Sequence, residues 1–255
     1  MVEEIRSLLS SFKPISLEEM EGVKLMTRSD QKFQCSIGQL PAILIAARTQ
    51  FQVLEIRKSR LKEYESLYLD TPDHEMYRMH HNGHLNRYKI RIREYKDSHE
   101  FFLEIKFKDN HRKTTKRRVP IDASRDYTKP AYTDFLNRNS PYTPAMLQPV
   151  LSSGFCRMTL VNNLLHERVT IDINPFWHHD GKYIGLPGLV IIEVKSVRKS
   201  TDQGFGRLMR DARLHPNRLS KYCTGTVLLY PHIKHNRFKE KMLHLSKLEK
   251  PLAYA

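Results

Sequence analysis

The chain is predicted to be an α+β protein: an antiparallel sheet or barrel, basic on one face, with helices packed outside. Three observations lead there. Segments in which apolar and polar residues alternate outnumber helical stretches and follow one another closely. The polar positions of those segments are filled mainly by Lys and Arg. The 255 residues carry 43 Lys+Arg against 28 Asp+Glu, a formal net charge of +15, so an anionic partner is expected.

The elements follow in order. Residues 1–12 have the spacing of a short amphipathic helix. Lys24–Gln34 alternates loosely, as a strand does. Ser36 offers an N-cap to a helix over Ile37–Ala47, with Pro41 suited to its first turn. Tyr64–Asp70 reads as a strand stopped by Thr71-Pro72, and Asp73–His81 as a short helix. Asn86–Tyr95, Phe101–Lys108 and Thr114–Asp122 are the clearest strands. Residues 130–150 hold four prolines and helical fragments, an elaboration of the same domain. Strands resume at Gly154–Val161, His166–Ile173, Leu189–Val197 and Tyr222–Leu229. A helix over Asp202–Leu214 precedes the last of these, and Pro231–Lys250 reads as a basic amphipathic helix. No repeat or low-complexity segment divides the chain. It is taken as a single domain over 1–255, with its core at about 25–230 and the basic C-terminal helix in 231–255.

In a strand, residues i, i+2 and i+4 share a face. Lys89, Arg91 and Arg93 therefore lie together, opposite Tyr88, Ile90 and Ile92. Glu104, Lys106 and Lys108 oppose Leu103, Ile105 and Phe107, while Lys116 and Arg118 share a face. Arg168, Thr170 and Asp172 oppose Val169, Ile171 and Ile173. Glu193 and Lys195 oppose Ile192 and Val194, and Arg28, Asp30 and Lys32 align on the first strand. Thr and small polar residues, common on strand surfaces, are few here. Like charges on neighbouring strands repel, so their concentration calls for an anion. The geometry that satisfies both faces is a barrel turned inside out, apolar beneath the helices and basic inside around a polyanion.

Other classes fall away. The longest apolar run, Leu40–Ala47, is far short of the ~20 residues that span a bilayer. The N-terminal Met1-Val-Glu-Glu-Ile-Arg6 lacks an apolar signal region. Cys35, Cys156 and Cys223 are widely spaced and are expected as buried thiols in a reducing cytoplasm. Gly204-Phe-Gly206 is not a nucleotide loop, since neither Gly-rich phosphate motif is present. The pairs His80-His81 and His178-His179 are read as surface or satisfied histidines, because adjacent side chains diverge on a strand or a helix. Trp177 is read as a packing residue. Lys234, Arg237, Lys239 and Lys241 are read as a solvated helix face.

Six stretches, in order, resemble one family. They are Tyr68-Leu-Asp-Thr-Pro-Asp73, Arg87-Tyr-Lys-Ile-Arg-Ile-Arg-Glu-Tyr95, Leu103-Glu-Ile-Lys-Phe-Lys108, Arg168-Val-Thr-Ile-Asp172, Ile192-Glu-Val-Lys195 and Leu219-Ser-Lys-Tyr222. Together, from about Leu25 to Leu229, they resemble the VTC domain, the catalytic domain of the vacuolar transporter chaperone complex, in a stand-alone bacterial-type form. That domain is similar to the triphosphate tunnel metalloenzymes.

The resemblance implies an eight-stranded antiparallel β-barrel tunnel with a basic interior, which polymerises inorganic polyphosphate from the γ-phosphate of ATP. It implies that Lys32, Arg91, Arg93, Lys106, Arg168 and Lys221 contact phosphates at the catalytic centre, with Ser220 helping from the Ser-Lys-Tyr turn. Lys89, Lys108, Lys116, Arg118 and Lys195, on the same faces, are substrate-binding candidates. Glu193 would hold a divalent cation, Mn²⁺ or Mg²⁺. The partners implied are ATP and polyphosphate rather than nucleic acid. Any link to the inner face of a membrane would come through a separate protein. Tunnel hydrolases carry an E-x-E-x-K pattern on the first strand, where this chain has Arg28-Ser-Asp-Gln-Lys32 with one acid. Polymerisation is therefore favoured over hydrolysis; a tunnel triphosphatase and a non-catalytic polyphosphate or RNA binder are the rival readings. Replacing Arg91 or Arg93 by Ala is expected to weaken turnover and leave stability unchanged or raised.

Overall fold

The alternating segments join into one eleven-stranded sheet. It is seen in a computed structural model that describes residues 2–21, 29–197 and 203–249. The elements are α1 (Val2–Ser10), β1 (Pro14–Ile15), α2 (Leu17–Glu21), β2 (Ser29–Ser36), α3 (Leu40–Ala47), β3 (Gln52–Leu54), β4 (Lys62–Asp70), α4 (Glu75–Asn82), β5 (Arg87–Tyr95), β6 (Glu100–Lys108) and β7 (Thr114–Ile121). They continue with α5 (Pro130–Asn139), β8 (Gln148–Asn162), β9 (Glu167–His179), β10 (Lys182–Gly185), β11 (Leu189–Ser196), α6 (Gly204–Asp211), α7 (Lys221–Leu229) and α8 (Lys239–Glu249). The main path runs β2-β11-β9-β8-β4-β5-β6-β7, with every neighbouring pair antiparallel. β10 extends β9, and β1 reaches β8 through β3.

The path has the eight strands expected, but hydrogen bonds do not close it into a barrel: β2 and β7 remain its two ends. The free edge of β2 is covered instead by the chain before α7. Asn217 N–H donates to the Lys32 carbonyl at 2.7 Å, and the Gln34 amide donates to the Asn217 carbonyl at 3.2 Å. Covering an edge in this way protects its unpaired backbone groups. Register shifts at Tyr68/Leu69 and Gly154/Cys156 add the local twist that curls such a sheet.

The apolar faces point outward, as the alternation requires. Phe33, Cys35, Met158, Leu160, Val169, Ile171, Ile173, Val190, Ile192 and Val194 pack under α1, α3 and α6. Leu69, Ile90, Ile92, Leu103, Ile105 and Ile121 pack with Met76 of α4 and Leu136 of α5. The N-terminus of the 37–47 helical stretch forms as read: the Gln39 side chain accepts from the Ser36 N–H at 3.1 Å, and a 3-10 turn over Ile37–Gln39 leads into α3.

One element differs in kind. Tyr222–Leu229, expected as a strand, is the helix α7. The Ser220 hydroxyl caps it by accepting from Cys223 N–H at 3.3 Å. Gly225 lets the helix lie directly on Trp177, where a Cβ would stand 2.1 Å from the indole Cδ1. Tyr222 to Val227 and Leu229 are all buried, so the segment has no polar face to betray a helical period. Trp177 is a packing residue as read, and its indole N–H donates to the Lys221 carbonyl at 2.8 Å. β8 and β9 run to 15 and 13 residues, longer than their readings. The C-terminal helix is shorter, starting at Lys239. Residues 24–28 of the first predicted strand, Arg28 among them, lie outside the described residues, as do Asp202 and Lys250. Among the described residues no helix is long and apolar enough to cross a membrane.

Candidate functional site

The inner faces of the eight strands form a basic groove, and register places its residues in rows. One row crosses three strands as Lys89↔Lys106↔Lys116. The next is Tyr68↔Arg91↔Glu104↔Arg118, and the next Ser66↔Arg93↔Phe102. Across the groove lie Lys32↔Glu193↔Thr170, Asp30↔Lys195↔Arg168 and Asp172↔Arg157↔Lys62. The sheet curls enough for its first and sixth strands to meet the same turn. From β2, Lys32 Nζ reaches the Leu219 carbonyl at 3.4 Å; from β5, Lys89 Nζ donates to Ser220 Oγ at 2.7 Å. Capping of α7 by Ser220 thus also holds Lys221, the first helical residue, over the groove.

Two carboxylates are clamped within it. Arg157 grips Asp172 in a fork, Nε to Oδ1 at 2.5 Å and Nη2 to Oδ2 at 2.8 Å, and Lys221 bonds the same Oδ2. Burial opposes ionisation of Asp172, yet these two cations hold its carboxyl well below the usual range. Arg91 donates to Glu104 Oε2 from Nε and Nη2 at 2.8 and 2.6 Å, while Lys116 pairs with Oε1. Burial of Glu104 is likewise outweighed, by Arg91, Arg93 and Lys116, and its pKa is held down to about 2. Glu193 is held more loosely, by Lys32 at 3.9 Å and Lys195 at 3.7 Å. Those lysines still overcome its burial and keep it ionised, down to about 2.

Several cations in the groove are pushed below their ordinary pKa values. Burial together with Lys89 and Lys32 pushes Lys106 down to about 8; its side chain meets solvent within the groove but sits deep among protein atoms. Burial brings Lys221 to about 8 against the pull of Asp172. Burial and Arg91 push Arg93 down to about 10. Arg93 donates to Ser66 Oγ at 3.3 Å and lies over the Tyr64 and Phe155 rings at 5.5 and 5.8 Å.

The structure therefore brings together Lys32, Lys89, Arg91, Arg93, Lys106, Arg168, Glu193, Lys195, Ser220 and Lys221. Lys108, Lys116 and Arg118 share the inner face but stand towards the edge of the sheet and its mouths. Lys108 is half-buried beside Arg87, Arg218 and Arg112, and Lys116 and Arg118 are exposed on β7. Arg157 was missed by sequence reasoning. Its signal is the alternation of Phe155, Arg157 and Thr159 against Cys156, Met158 and Leu160. Asp172 and Glu104 were seen on charged faces, but their clamping of cations depends on partners remote in sequence.

Asp70 organises the floor. Oδ1 accepts from Met76 N–H at 2.9 Å and Oδ2 from Tyr77 N–H at 3.0 Å, so the carboxylate caps α4, and the Tyr222 hydroxyl donates to it as well. The Tyr68 ring stacks on Tyr222 at 5.0 Å, which ties β4, α4 and α7 into one support. The histidine pairs lie elsewhere: His81 Nε2 accepts from Arg237 N–H, and His178 faces Glu65 at 3.0 Å.

A pH prediction follows from Glu104. Its pKa is lower in the fold than in the unfolded chain, so its contribution is present above the ordinary carboxylate value and is lost as pH falls towards 2. Between pH 5 and pH 3 the wild type should lose more stability than Glu104→Gln, measured by urea unfolding at each pH. Parallel losses in the two proteins would remove Glu104 from the acid response.

Several solved structures share similarity with the chain. A candidate adenylyl cyclase of Hippeastrum, described as having a dominant triphosphatase activity, is 12% identical, with 78% of this chain and 95% of that chain covered and a TM-score of 0.47. A candidate adenylate cyclase of Vibrio parahaemolyticus is 12% identical over 76% and 97%, with a TM-score of 0.44. The PH1819 protein of Pyrococcus horikoshii is 15% identical over 78% and 98%, with a TM-score of 0.45. No curated protein matches the chain. The family model of the VTC domain matches residues 27–230, a span that holds the whole main strand path and α7 with its capping turn. Most of the chain being so matched, the protein belongs to the VTC domain family.

Proposed function

We propose that the protein is an ATP-dependent polyphosphate polymerase, moving the γ-phosphate of ATP onto the end of a growing inorganic polyphosphate chain within the groove. One observation carries this reading: Lys89, Lys106 and Lys116 stand directly opposite one another on three adjacent strands, and Lys195 stands opposite Arg168. Like charges so placed destabilise a sheet. Lys89, Lys106 and Arg93 make no ion pair among the described residues. A chain of phosphates is the ligand that supplies a counter-charge along the whole row.

Phosphoryl transfer asks a protein chiefly for positioning and charge neutralisation. Arg93, which makes no ion pair among the described residues, offers a planar fork for phosphate oxygens; Arg91 and Arg157, bound to Glu104 and Asp172, add positive charge, and Lys32, Lys106 and Lys221 act as point charges. The acceptor phosphate is already anionic near neutral pH, its second pKa being about 6, so no general base is needed. Asp172 and Glu104 are gripped by cations and are not free to orient water, which supports transfer over hydrolysis.

Glu193 is the carboxylate suited to a metal. It is ionised, and its ion pairs are long. Among the described residues no group of three or more His, Cys, Asp or Glu forms a cage. That fits Mg²⁺ or Mn²⁺ held by one carboxylate, waters and substrate phosphates. Such an ion, when bound, neutralises phosphate charge. Glu193→Gln should abolish metal-dependent turnover with the fold intact; an unchanged Mn²⁺ dependence would leave Glu193 as a charge balancer only.

The deciding assay follows three products of ATP and Mn²⁺ together. Acid-labile phosphate polymer with ADP supports the polymerase. Free phosphate without polymer identifies a triphosphatase. Salt-dependent RNA binding without ADP identifies a binder.

A further inference from the structure

The two ends of the groove differ in chemistry. At the β5 N-terminal end the inner face carries Lys89, Lys106 and Lys116, with Lys108 beside Arg87, Arg112 and Arg218. Tyr95 lies on the same face six residues further along the strand, about 20 Å away at ~3.4 Å per residue. There the face is aromatic. Phe155 stacks on Tyr64 at 5.5 Å, Tyr64 meets Tyr95 edge-on at 5.1 Å, and Tyr95 meets Phe102 edge-on at 5.6 Å. These rings come from β8, β4, β5 and β6, four neighbours in the sheet.

The arc ends on β7 at Arg118, whose guanidinium lies 4.6 Å over the Phe102 ring and donates to the Tyr95 hydroxyl at 3.3 Å. Tyr64, Tyr95 and Phe102 are half-buried and Arg118 is exposed, so the platform is accessible from the groove. Arg93, two residues from Tyr95 on the same face, stands between the platform and the lysine row.

We propose that Phe102, Tyr95 and Arg118 form the seat of the nucleobase, so that Arg118 serves the base rather than a phosphate. Aromatic rings and a planar guanidinium bind the π-face of a base. The triphosphate then runs past Arg93 and Arg91 towards the lysine row, and the inorganic chain occupies the lysine end. This inference rests on ATP being the donor.

The test compares ATP with inorganic tripolyphosphate by calorimetry on wild type, Phe102→Ala and Arg118→Lys. Arg118→Lys keeps the charge and removes the planar stacking group. Both variants should bind ATP about five- to tenfold more weakly, the scale of one stacked base, and bind tripolyphosphate within twofold of wild type. Equal losses for both ligands, or none for ATP, would overturn the base seat. Failure of wild type to bind tripolyphosphate at all would instead overturn the proposed function. Retained tripolyphosphate binding in Phe102→Ala also shows that the variant is folded.

Discussion

Asp172→Asn should be the most damaging single change in the groove, lowering unfolding free energy by about 3–5 kcal/mol, the usual cost of stranding a buried charge. Asp172 is 2% exposed and is the shared counter-charge of Arg157 and Lys221. An Asn of the same shape accepts at one oxygen and carries no charge, which leaves two half-buried cations unneutralised. The lost stability should return in part when tripolyphosphate is added, because a ligand that binds only the folded state stabilises it by mass action. Urea unfolding with and without tripolyphosphate measures both effects. A variant as stable as wild type would show that Arg157 and Lys221 find another partner, and that Asp172 does not organise the site.

Arg93→Ala should show the opposite balance, a large loss of turnover with little loss of stability. Arg93 is buried, makes no ion pair with a carboxylate among the described residues and is pushed down to about 10 by burial and Arg91. Removing it relieves repulsion, so stability should hold or rise. Catalytic efficiency should fall by about 1.5–3 kcal/mol in transition-state terms, the scale of a charge-assisted hydrogen bond. Arg91→Ala departs from the expectation drawn from the sequence. It strips the fork from Glu104, which is 2% exposed, and leaves Lys116 as its direct ion pair among the described residues. Arg91→Ala should therefore lose stability as well as turnover, and the contrast between the two variants is read from paired unfolding and activity curves. Equal stability losses would mean that the groove cations are not under mutual strain.

Much of this protein is local and hence legible. Period-two alternation fixed which face of β5, β6, β9 and β11 is charged, because a strand has only two faces and one of them must be buried. Every described site candidate accordingly lies on the inner face or on its capping turn. The helix starting beyond Ser36 was equally local, set by Ser36 and Gln39 within one turn.

What the tertiary structure decided depends on encounters that no local pattern records. α7 is a helix because it is buried on all sides and seated on Trp177, so its sequence carries no face-to-face contrast from which a period can be read. The sheet remains open at β2 and β7 because the 217–220 segment, and not a strand, occupies the β2 edge. Arg157 meets Asp172 across two strands, and Lys221 reaches the same carboxylate from a helix. Which cations are neutralised and which are left strained is thus set by long-range pairing. The basic face follows from local alternation alone, whereas the partners of its charges follow from contacts between strands and helices far apart in sequence.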